Sequence, residues 1–594
     1  MGRLTALIPG LIFFFVLTGC GSGRDSTDIM AGEEIDFFAM QERAEEFEPQ
    51  IGTHGGEFIL STISDPKSFN PITSTETSTS EFTAHMYEGL TSINRVTLLP
   101  EPGLAESWEI SDDGLTYIFS LREGLLWSDD TPITAYDVEF TFNDLIYNPD
   151  VRPNSARDLF TIGGVIIEVT ALDDQTVKCV LPYPFAPFLR AMAQEILPKH
   201  IHEPVVKAGK FPSSLGIQTR PRDMVVSGPF MLDSYTSSQR VILKRNPNYW
   251  KKDSEGNQLP YLERIVYEIV ADQNAQLMNF KRGMYDYLGA RGEDYPGLKR
   301  EEKNGQFTVY RLGPARGSSF LFFNQNSGID EQTGEPYVDE TKLSWFSNTN
   351  FRRAVAHAID KESMISIVMN GLGYPQWSPM TPSEGFFFNP EVTEYSYDKQ
   401  RALEILEQEG FSDKNGDGFL QDADGNTLEF SFVTNSGNNE RIRIAEIIRR
   451  DLQDLGMRVH FQQLEFNSLI QKISNPPFDW DAVLLGLTGG DEPHFGRNVW
   501  HSTGSLHMWH PGQQTPATEW QARIDSIFDA AVQIIDTDER KKLYDQWQQI
   551  ASDKLPLIYT VLSERIICLT NRFGNINPSV NGGLVHNLEY IYVK

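Results

Sequence analysis

Apolar and polar positions along this chain follow two rhythms, and the place where one gives way to the other divides it. In the first half the repeat is two residues, the signature of strands half buried in a sheet. Trp108 and Ile110 alternate along one arm of a hairpin, and Leu115, Tyr117, Phe119 and Leu121 along the other. Between them Ser111-Asp112-Asp113-Gly114 supplies turn residues and a glycine that accepts positive φ. A second hairpin sets Phe230, Leu232 and Tyr235 against Val241 and Leu243, and residues 57–63 read as a further strand closed by the turn signal Asp65-Pro66. A helix interrupts this region, with Thr134 as N-cap and Val138, Phe142 and Leu145 on one face.

Near residue 317 the pattern changes to strands alternating with helices. Phe351, Val355, Ala358 and Ile359 share a helical face behind Thr349 or Asn350 as cap. Asp398 caps a helix that turns Ala402, Ile405 and Leu406 inward and stops at Gly410. Leu428, Phe430 and Phe432 alternate as a strand, and Ile444, Ile448, Leu452 and Leu455 then form a helical stripe ended by Gly456. Met457, Val459 and Phe461 alternate again, and a short helix over residues 466–473 leads to the apolar run from Ala482 to Leu487. This β-α-β-α-β order predicts right-handed crossovers and a parallel sheet, an α/β architecture. The last run has no polar face, which suits a strand covered on both sides. Beyond it come an amphipathic helix carrying Leu543, Trp547, Ile550 and Ala551 and a strand-like stretch over residues 557–569. There is no repeat of fixed period, so a solenoid is not expected.

The run empties abruptly into Thr488, Gly489 and Gly490, followed by Asp491, Glu492, His494, Arg497, Asn498 and Trp500. In open α/β sheets ligands sit in the crevice beyond the carboxyl ends of strands. A buried strand that opens onto both charge signs, an amide and an aromatic is therefore the candidate floor of a binding site.

Composition narrows the function. A chain of 594 residues is too long for one core and predicts two or three domains. With 82 acidic against 51 basic residues the surface repels polyanions, which argues against nucleic acid as a partner. The first residues are not expected in the fold: Arg3 is a basic n-region, residues 4–17 are apolar but short for a stable membrane span, and Leu17-Thr18-Gly19-Cys20 resembles a bacterial lipobox. Residues 1–19 are thus expected as signal peptide, Cys20 as the lipidated residue, and residues 20–53 as a lipid-anchored acidic stalk in which residues 35–47 have amphipathic helical spacing. This places the protein in the cell envelope, outside the cytoplasm. Cys179 and Cys568 each lie in an apolar strand-like run and are expected as free buried thiols.

Two clusters raise metal chemistry. Asp413, Asn415, Asp417 and Asp424, with Gly418 at the sixth position, match the spacing of a calcium loop, although Asp424 is shorter than the usual glutamate and a strand follows where an EF-hand has its second helix. His494, His501, His507 and His510 crowd one region at irregular intervals, which fits a transition-metal site or a loop packed against a cleft. Catalytic signatures are missing: there is no Gly-x-Ser-x-Gly, no His-Glu-x-x-His and no phosphate loop, and Gly371-Leu372-Gly373 lacks the third glycine of a dinucleotide turn.

Several separated stretches, taken in order, resemble the extracellular solute-binding protein family 5, the peptide and nickel receptors of ABC importers. They are Tyr87-Glu88-Gly89-Leu90, Pro102-Gly103-Leu104-Ala105-Glu106-Ser107-Trp108, Leu121-Arg122-Glu123-Gly124 and Thr131-Pro132-Ile133-Thr134-Ala135-Tyr136-Asp137-Val138. Ser227-Gly228-Pro229-Phe230, Arg245-Asn246-Pro247-Asn248-Tyr249-Trp250 and Phe351-Arg352-Arg353-Ala354 through Ala358-Ile359-Asp360-Lys361 follow. The resemblance covers nearly the whole mature chain. It implies the two-lobed periplasmic-binding-protein fold in its large three-subdomain, type II form, with a ligand cleft between lobes that close by hinge motion. Lobe I would comprise residues 54–84, 216–316 and 556–594, its accessory subdomain residues 85–215, and lobe II residues 317–555.

Peptide-binding relatives carry an aspartate shortly after the buried strand that holds the peptide ammonium. Here Gly489 and Gly490 stand at those positions, with Asp491-Glu492-Pro493 directly after. Either Asp491 or Glu492 takes over that task, or the ligand has no ammonium to anchor. Asp491 or Glu492 is then the candidate for a cationic group and Arg497 and His494 for an anionic one, with Trp500, Trp509 and Trp377 as apolar walls and Asn70 reaching in from the other lobe. The expected function is capture of short peptides or a related organic solute, as a monomer, for the permease of an ABC importer. The other readings are a nickel or metal-chelate receptor of the same fold, a surface lipoprotein acting as adhesin or sensor, and an exported hydrolase.

Overall fold

The structure, a computed structural model, describes residues 37–490 and 492–594. The expected signal peptide, Cys20 and the first part of the stalk lie outside the described residues, as does Asp491. The rest of the segment expected as a stalk lies against the body. Helix Phe37–Glu45 buries Ala44, whose carbonyl accepts from Asn577 Nδ2 at 3.1 Å, and Gln41 Nε2 donates to Val96 O at 2.6 Å. Asn575 exchanges two hydrogen bonds with the Gln50 backbone, at 2.8 and 2.7 Å. A polar segment whose backbone groups find partners on the body is held there, which composition alone does not reveal.

The two hairpins form as their alternation predicts. Ala105–Ile110 and Thr116–Leu121 pair antiparallel, with Gly114 at φ 69°, and belong to a four-stranded sheet with Glu168–Ala171 and Thr176–Val180. Phe230–Thr236 and Arg240–Arg245 pair antiparallel in a sheet completed by Arg264–Ile269 and Glu57–Thr62. Thr134 and Asp137 make a capping box at the start of helix Ala135–Phe140. Cys179 and Cys568 are buried and unbridged.

The alternating half builds a five-stranded sheet in the order Arg458–Leu464, Glu429–Asn435, Ala482–Leu487, Ser318–Phe323, Ile558–Tyr559. Ala482–Leu487 lies in the middle, and its lack of a polar face has a direct cause. Ala482 and Leu484 pack into the core on one side of the sheet, and Val483 and Leu485 into a second core on the other. The expectation of a parallel sheet holds for only three strands. Ser318–Phe323 runs antiparallel to Ala482–Leu487, and Ile558–Tyr559 antiparallel to Ser318–Phe323. Side chains alternate with the same period in either direction, so the pattern of apolar residues carries no information on strand sense. Ile558 and Tyr559, expected in lobe I, thus pair in the sheet of lobe II. The helix Thr349–Ala358 is capped by Asn348, one residue before the expected Thr349 or Asn350, with Oδ1 accepting from Asn350 N at 2.8 Å.

Two segments carry the chain between the lobes, and they lie side by side. Phe307–Pro314 leads into Ser318–Phe323 on the way out, and Ile558–Tyr559 leads into Val561–Thr570 on the way back. Ala315 N donates to Ser563 O and Thr560 N to Ser319 O, both at 2.9 Å. Among the described residues no helix is long and apolar enough to cross a membrane.

Arg352 ties two helices of lobe II together. It is buried in Thr349–Ala358 and donates to Phe346 O at 2.6 Å, to Lys554 O at 2.8 Å and to Leu555 O at 3.1 Å, the last two at the carboxyl end of Thr537–Lys554. Arg352→Met removes these charge-assisted donors and strands the carbonyls, so the urea midpoint should fall by an amount equivalent to about 1.5–3 kcal/mol. An unchanged midpoint would show that the carbonyls find other partners.

Candidate functional site

The carboxyl ends of Glu429–Asn435 and Ala482–Leu487 open into a cleft of two adjoining chambers, 660 and 500 Å³ in volume. Both chambers are lined by Arg95, Ser318, Leu487, Thr488 and Gly489, which places them side by side. The walls of the cleft come from both lobes. Thr62, Ser78 and Glu81 stand on one side of the first chamber and Asn435, Asn438 and Arg441 on the other, while the crossing segments supply Ser319 and Ser563. The lobes also touch around the cleft. Ser78 Oγ donates to Asn467 Oδ1 at 3.1 Å, Gln273 N to Gly437 O at 3.1 Å, and near the accessory subdomain Ser505 N to Asp158 Oδ2 at 2.8 Å and Asn498 Nδ2 to Ser155 Oγ at 3.3 Å.

The glycines that end the buried strand are required by close packing. A Cβ on Gly486 would stand 2.7 Å from Arg441 Nη2 and 2.7 Å from Ser318 O. One on Gly489 would collide with Arg316 O and the Glu384 carboxylate. The bare backbone lets a guanidinium lie across the floor of the first chamber and a carboxylate against the floor of the second.

Burial tunes the charged groups here. Glu81 loses solvation on the wall of the first chamber, which pushes its carboxyl up to about 7 against a hydrogen bond from Thr62. Behind it Tyr267, whose hydroxyl is 3.1 Å from His85 Nε2, is raised by burial and by Glu81. Burial lowers Arg441 to about 10, opposed by Glu440, so the guanidinium stays charged at neutral pH. Arg441 Nη1 donates to Asn435 Oδ1 at 2.8 Å, which fixes the plane of the group. Glu440 is raised by burial although Ser563 Oγ donates to it.

The residues singled out from sequence separate into three groups. Glu492, Asn498 and Trp500 line the second chamber, and Glu492 Oε2 accepts from Arg540 Nη2 at 3.2 Å. His494 and Arg497 are buried beside it around a small cavity of 150 Å³ and line neither chamber. His494 Nε2 lies 3.2 Å from Leu159 O, its ring meets Phe185 edge-on at 5.3 Å, and burial holds it at about 3, so it is neutral and offers no cation to an anionic group. Arg497 faces Asp529 at 3.6 Å.

Trp509, Trp377 and Asn70 do not reach the cleft, which corrects their expected roles. Trp509 is wholly buried in the lobe II core against Trp500 and His507. Trp377 lies half-buried under Lys361 Nζ, 4.7 Å above its ring. Asn70 is consumed by its own turn, where Oδ1 accepts from Ile72 N at 3.0 Å and Nδ2 donates to Ser214 O at 3.4 Å. Large aromatics and asparagines serve cores and turns as readily as ligands, and composition does not separate the two uses. The sequence reading missed Glu81, Arg441 and Arg565. Asn435 and Arg441 had a signal, because the crevice rule applied to Leu487 applies equally to the strand before them. Glu81 and Arg565 carry none.

Neither metal expectation gains a gathered ligand set. Among the described residues no three His, Cys, Asp or Glu side chains stand where they could hold a metal ion. In the loop of Asp413, Asn415, Asp417 and Asp424, side-chain oxygens cap the loop's own backbone. Asp413 accepts from Gly416 N at 2.7 Å and Gly418 N at 3.0 Å, Asn415 from Asp417 N at 3.0 Å, and Asp417 from Phe419 N at 2.9 Å, while Asp424 is exposed. The histidines are parted among separate partners. His501 faces Asp529 at 3.6 Å, His507 Nδ1 lies 2.9 Å from Val499 O, and burial lowers His510 to about 4.

Two α/β lobes joined by a pair of adjacent crossings, with a polar cleft at the strand ends between them, define a two-lobed solute-binding protein. The chain belongs to the bacterial extracellular solute-binding proteins, family 5 Middle, whose model matches residues 100–506. It is 32% identical over 560 residues to a probable ABC transporter-binding protein of Deinococcus radiodurans, covering 89% of this chain and 90% of that one. It is 27% identical over 559 residues to the oligopeptide-binding protein AppA of Bacillus subtilis, covering 93% and 91%. The structure of AppA in complex with a nonapeptide superposes with a TM-score of 0.78 at 24% identity, over 92% of this chain and 100% of that one. The periplasmic binding protein MelB of Agrobacterium fabrum, in complex with stachyose, gives a TM-score of 0.79 at 22% identity, over 93% and 86%.

The Glu81 carboxyl has a measurable linkage. It holds its proton up to about 7 in the folded chain against an ordinary 4.5, so the folded state binds more protons between those values and stability falls as pH rises through them. Glu81→Gln should remove that fall, read as the difference in melting temperature between parent and variant across the window. A constant difference would place the Glu81 proton elsewhere.

Proposed function

We propose that this chain captures oligopeptides, or organic solutes of similar size, between its lobes and delivers them to an ABC importer. The observation that carries this reading is the cleft of two adjoining chambers between the lobes. Each chamber alone, at 660 and 500 Å³, falls in the range of about 300–1,000 Å³ typical of small-molecule sites, so two of them side by side suit an extended guest. Ser318, Thr488, Asn435 and Asn438 line the cleft, polar groups that match a backbone rich in amides. The nonapeptide held by AppA supports the same reading. A metal-chelate receptor gains no support from the histidines. In this reading closure is a two-state hinge motion about the paired crossings, and the importer engages the closed form.

We further propose that Cys20 is acylated and tethers the protein to a membrane, on the strength of Leu17-Thr18-Gly19-Cys20 behind a short apolar segment. Two or more acyl chains give stable anchoring where one does not.

A ladder of synthetic peptides from two to nine residues tests the first proposal. The longer members should raise the melting temperature, by linkage of about 2.7 kcal/mol at a hundredfold excess over Kd, and reduce the radius of gyration in solution scattering. If neither quantity moves with any peptide or with an oligosaccharide of similar size, the capture reading is lost. For the anchor, Cys20→Ser should shift the protein from the membrane to the soluble fraction of its host, and a variant that stays with the membrane would rule out acylation as the tether.

A further inference from the structure

The first chamber inverts the charge of the molecule. The whole chain carries 82 acidic and 51 basic residues, yet the described residues lining this chamber include Arg95, Arg316, Arg441 and Arg565 against Glu81 and Glu440. Burial pushes both carboxyls up, Glu81 to about 7, whereas Arg441 remains protonated at neutral pH. Arginine is more weakly hydrated than lysine and presents a planar fork of donors that matches carboxylate geometry.

The arginines stand on opposite walls. Arg441 projects from lobe II at the start of helix Asn439–Gln453, whose Asn438 cap and amino end also face the chamber. Its hydrogen bond to Asn435 uses one of five guanidinium donors, and Gly486 is the strand position that gives the group room. Arg565 comes from lobe I on strand Val561–Thr570, held by Asn581 O at 3.4 Å and packed over Gly583. Arg95 reaches the same space from the loop after Thr91–Ile93. Like charges brought together from two lobes oppose closure, and an anion between them removes that opposition.

Resting on the capture reading, we infer that the first chamber is a carboxylate-recognition subsite clamped by Arg441 from one lobe and Arg565 from the other, and that the protein prefers carboxylate-rich guests such as acidic peptides. The low-dielectric walls favour this arrangement, because a charge-assisted bond out of bulk water is about twice as strong as a neutral one. The carboxylate belongs either to the peptide terminus or to an acidic side chain, and the chemistry of the clamp is common to both.

The test uses a pepsin digest of casein, whose peptides run from acidic to basic. The full-length protein is incubated with the digest and desalted, and the retained peptides are sequenced by mass spectrometry. Retained peptides should be more acidic than the input, and high salt should weaken the enrichment. Arg441→Gln and Arg565→Gln should each abolish it, while Arg441→Lys keeps part of it. Calorimetry with the most retained peptide should then show roughly ten- to a hundredfold weaker binding in either glutamine variant. Amidating its terminus, or replacing its Glu by Gln, tells which carboxylate is held. Circular dichroism melts confirm folding, and if one variant fails to fold, the other and the salt series still decide. Retention without acidic enrichment, or enrichment unchanged in both glutamine variants, overturns the inference while leaving capture intact. Retention of nothing overturns the capture reading and the inference with it.

Discussion

Everything about the cleft depends on the pair of strands that carry the chain across the lobe boundary. They are bonded to each other through Ala315 and Ser563 and through Thr560 and Ser319, and just beyond them Arg311 grips Glu564 through both carboxylate oxygens, with Nη2 to Oε2 at 2.7 Å. Glu564 is 3% exposed, so removing Arg311 leaves a charge out of water, at a cost of about 3–5 kcal/mol. Because Gly373–Pro375 pairs with Val561 through Ser563, the return crossing is also held by lobe II. The crossing segments thus form a narrow paired strap, and the lobes face each other across whatever space lies beside it.

That space falls at the strand ends for a topological reason. The chain enters lobe II along Ser318–Phe323, away from the strap, and Ala482–Leu487 runs back toward it, so the residues after Leu487 and those before Ser318 meet at the same edge. Backbone alone must fill part of this edge, and Gly317, Gly486 and Gly489 make that possible. A side chain at 317 would stand 2.7 Å from Leu487 O. The closeness that forbids side chains at these positions also admits the Arg441 guanidinium to the floor.

Electrostatics give the cleft a character unlike that of the surface around it. A chain of net charge −31 repels anions at long range, while an arginine-lined chamber attracts them at short range, where screening is weakest. With the inferred carboxylate clamp, selectivity is set inside the cleft and not during approach.

The sequence by itself determined the elements and the family. The hairpins at residues 105–121 and 230–245, the Thr134 and Asp398 caps and the double-sided burial of Ala482–Leu487 were all legible, since each is set by contacts a few residues apart or by the chemistry of one face. The ordered stretches from Tyr87 to Lys361 carried the fold, and Glu492, Asn498 and Trp500 of the loop after Leu487 lie on the wall of the second chamber. Tertiary structure decided what no local pattern encodes. Strand sense in the lobe II sheet, the docking of residues 37–50 on the body, and the burial of Trp509, His494 and Asn70 away from solute all follow from where distant segments pack. Glu81, Arg441 and Arg565 lie more than a hundred residues apart and share one chamber only because two lobes fold and then face each other. Periodicity reports whether a side chain is buried, but which space it faces is settled by the other side of that space.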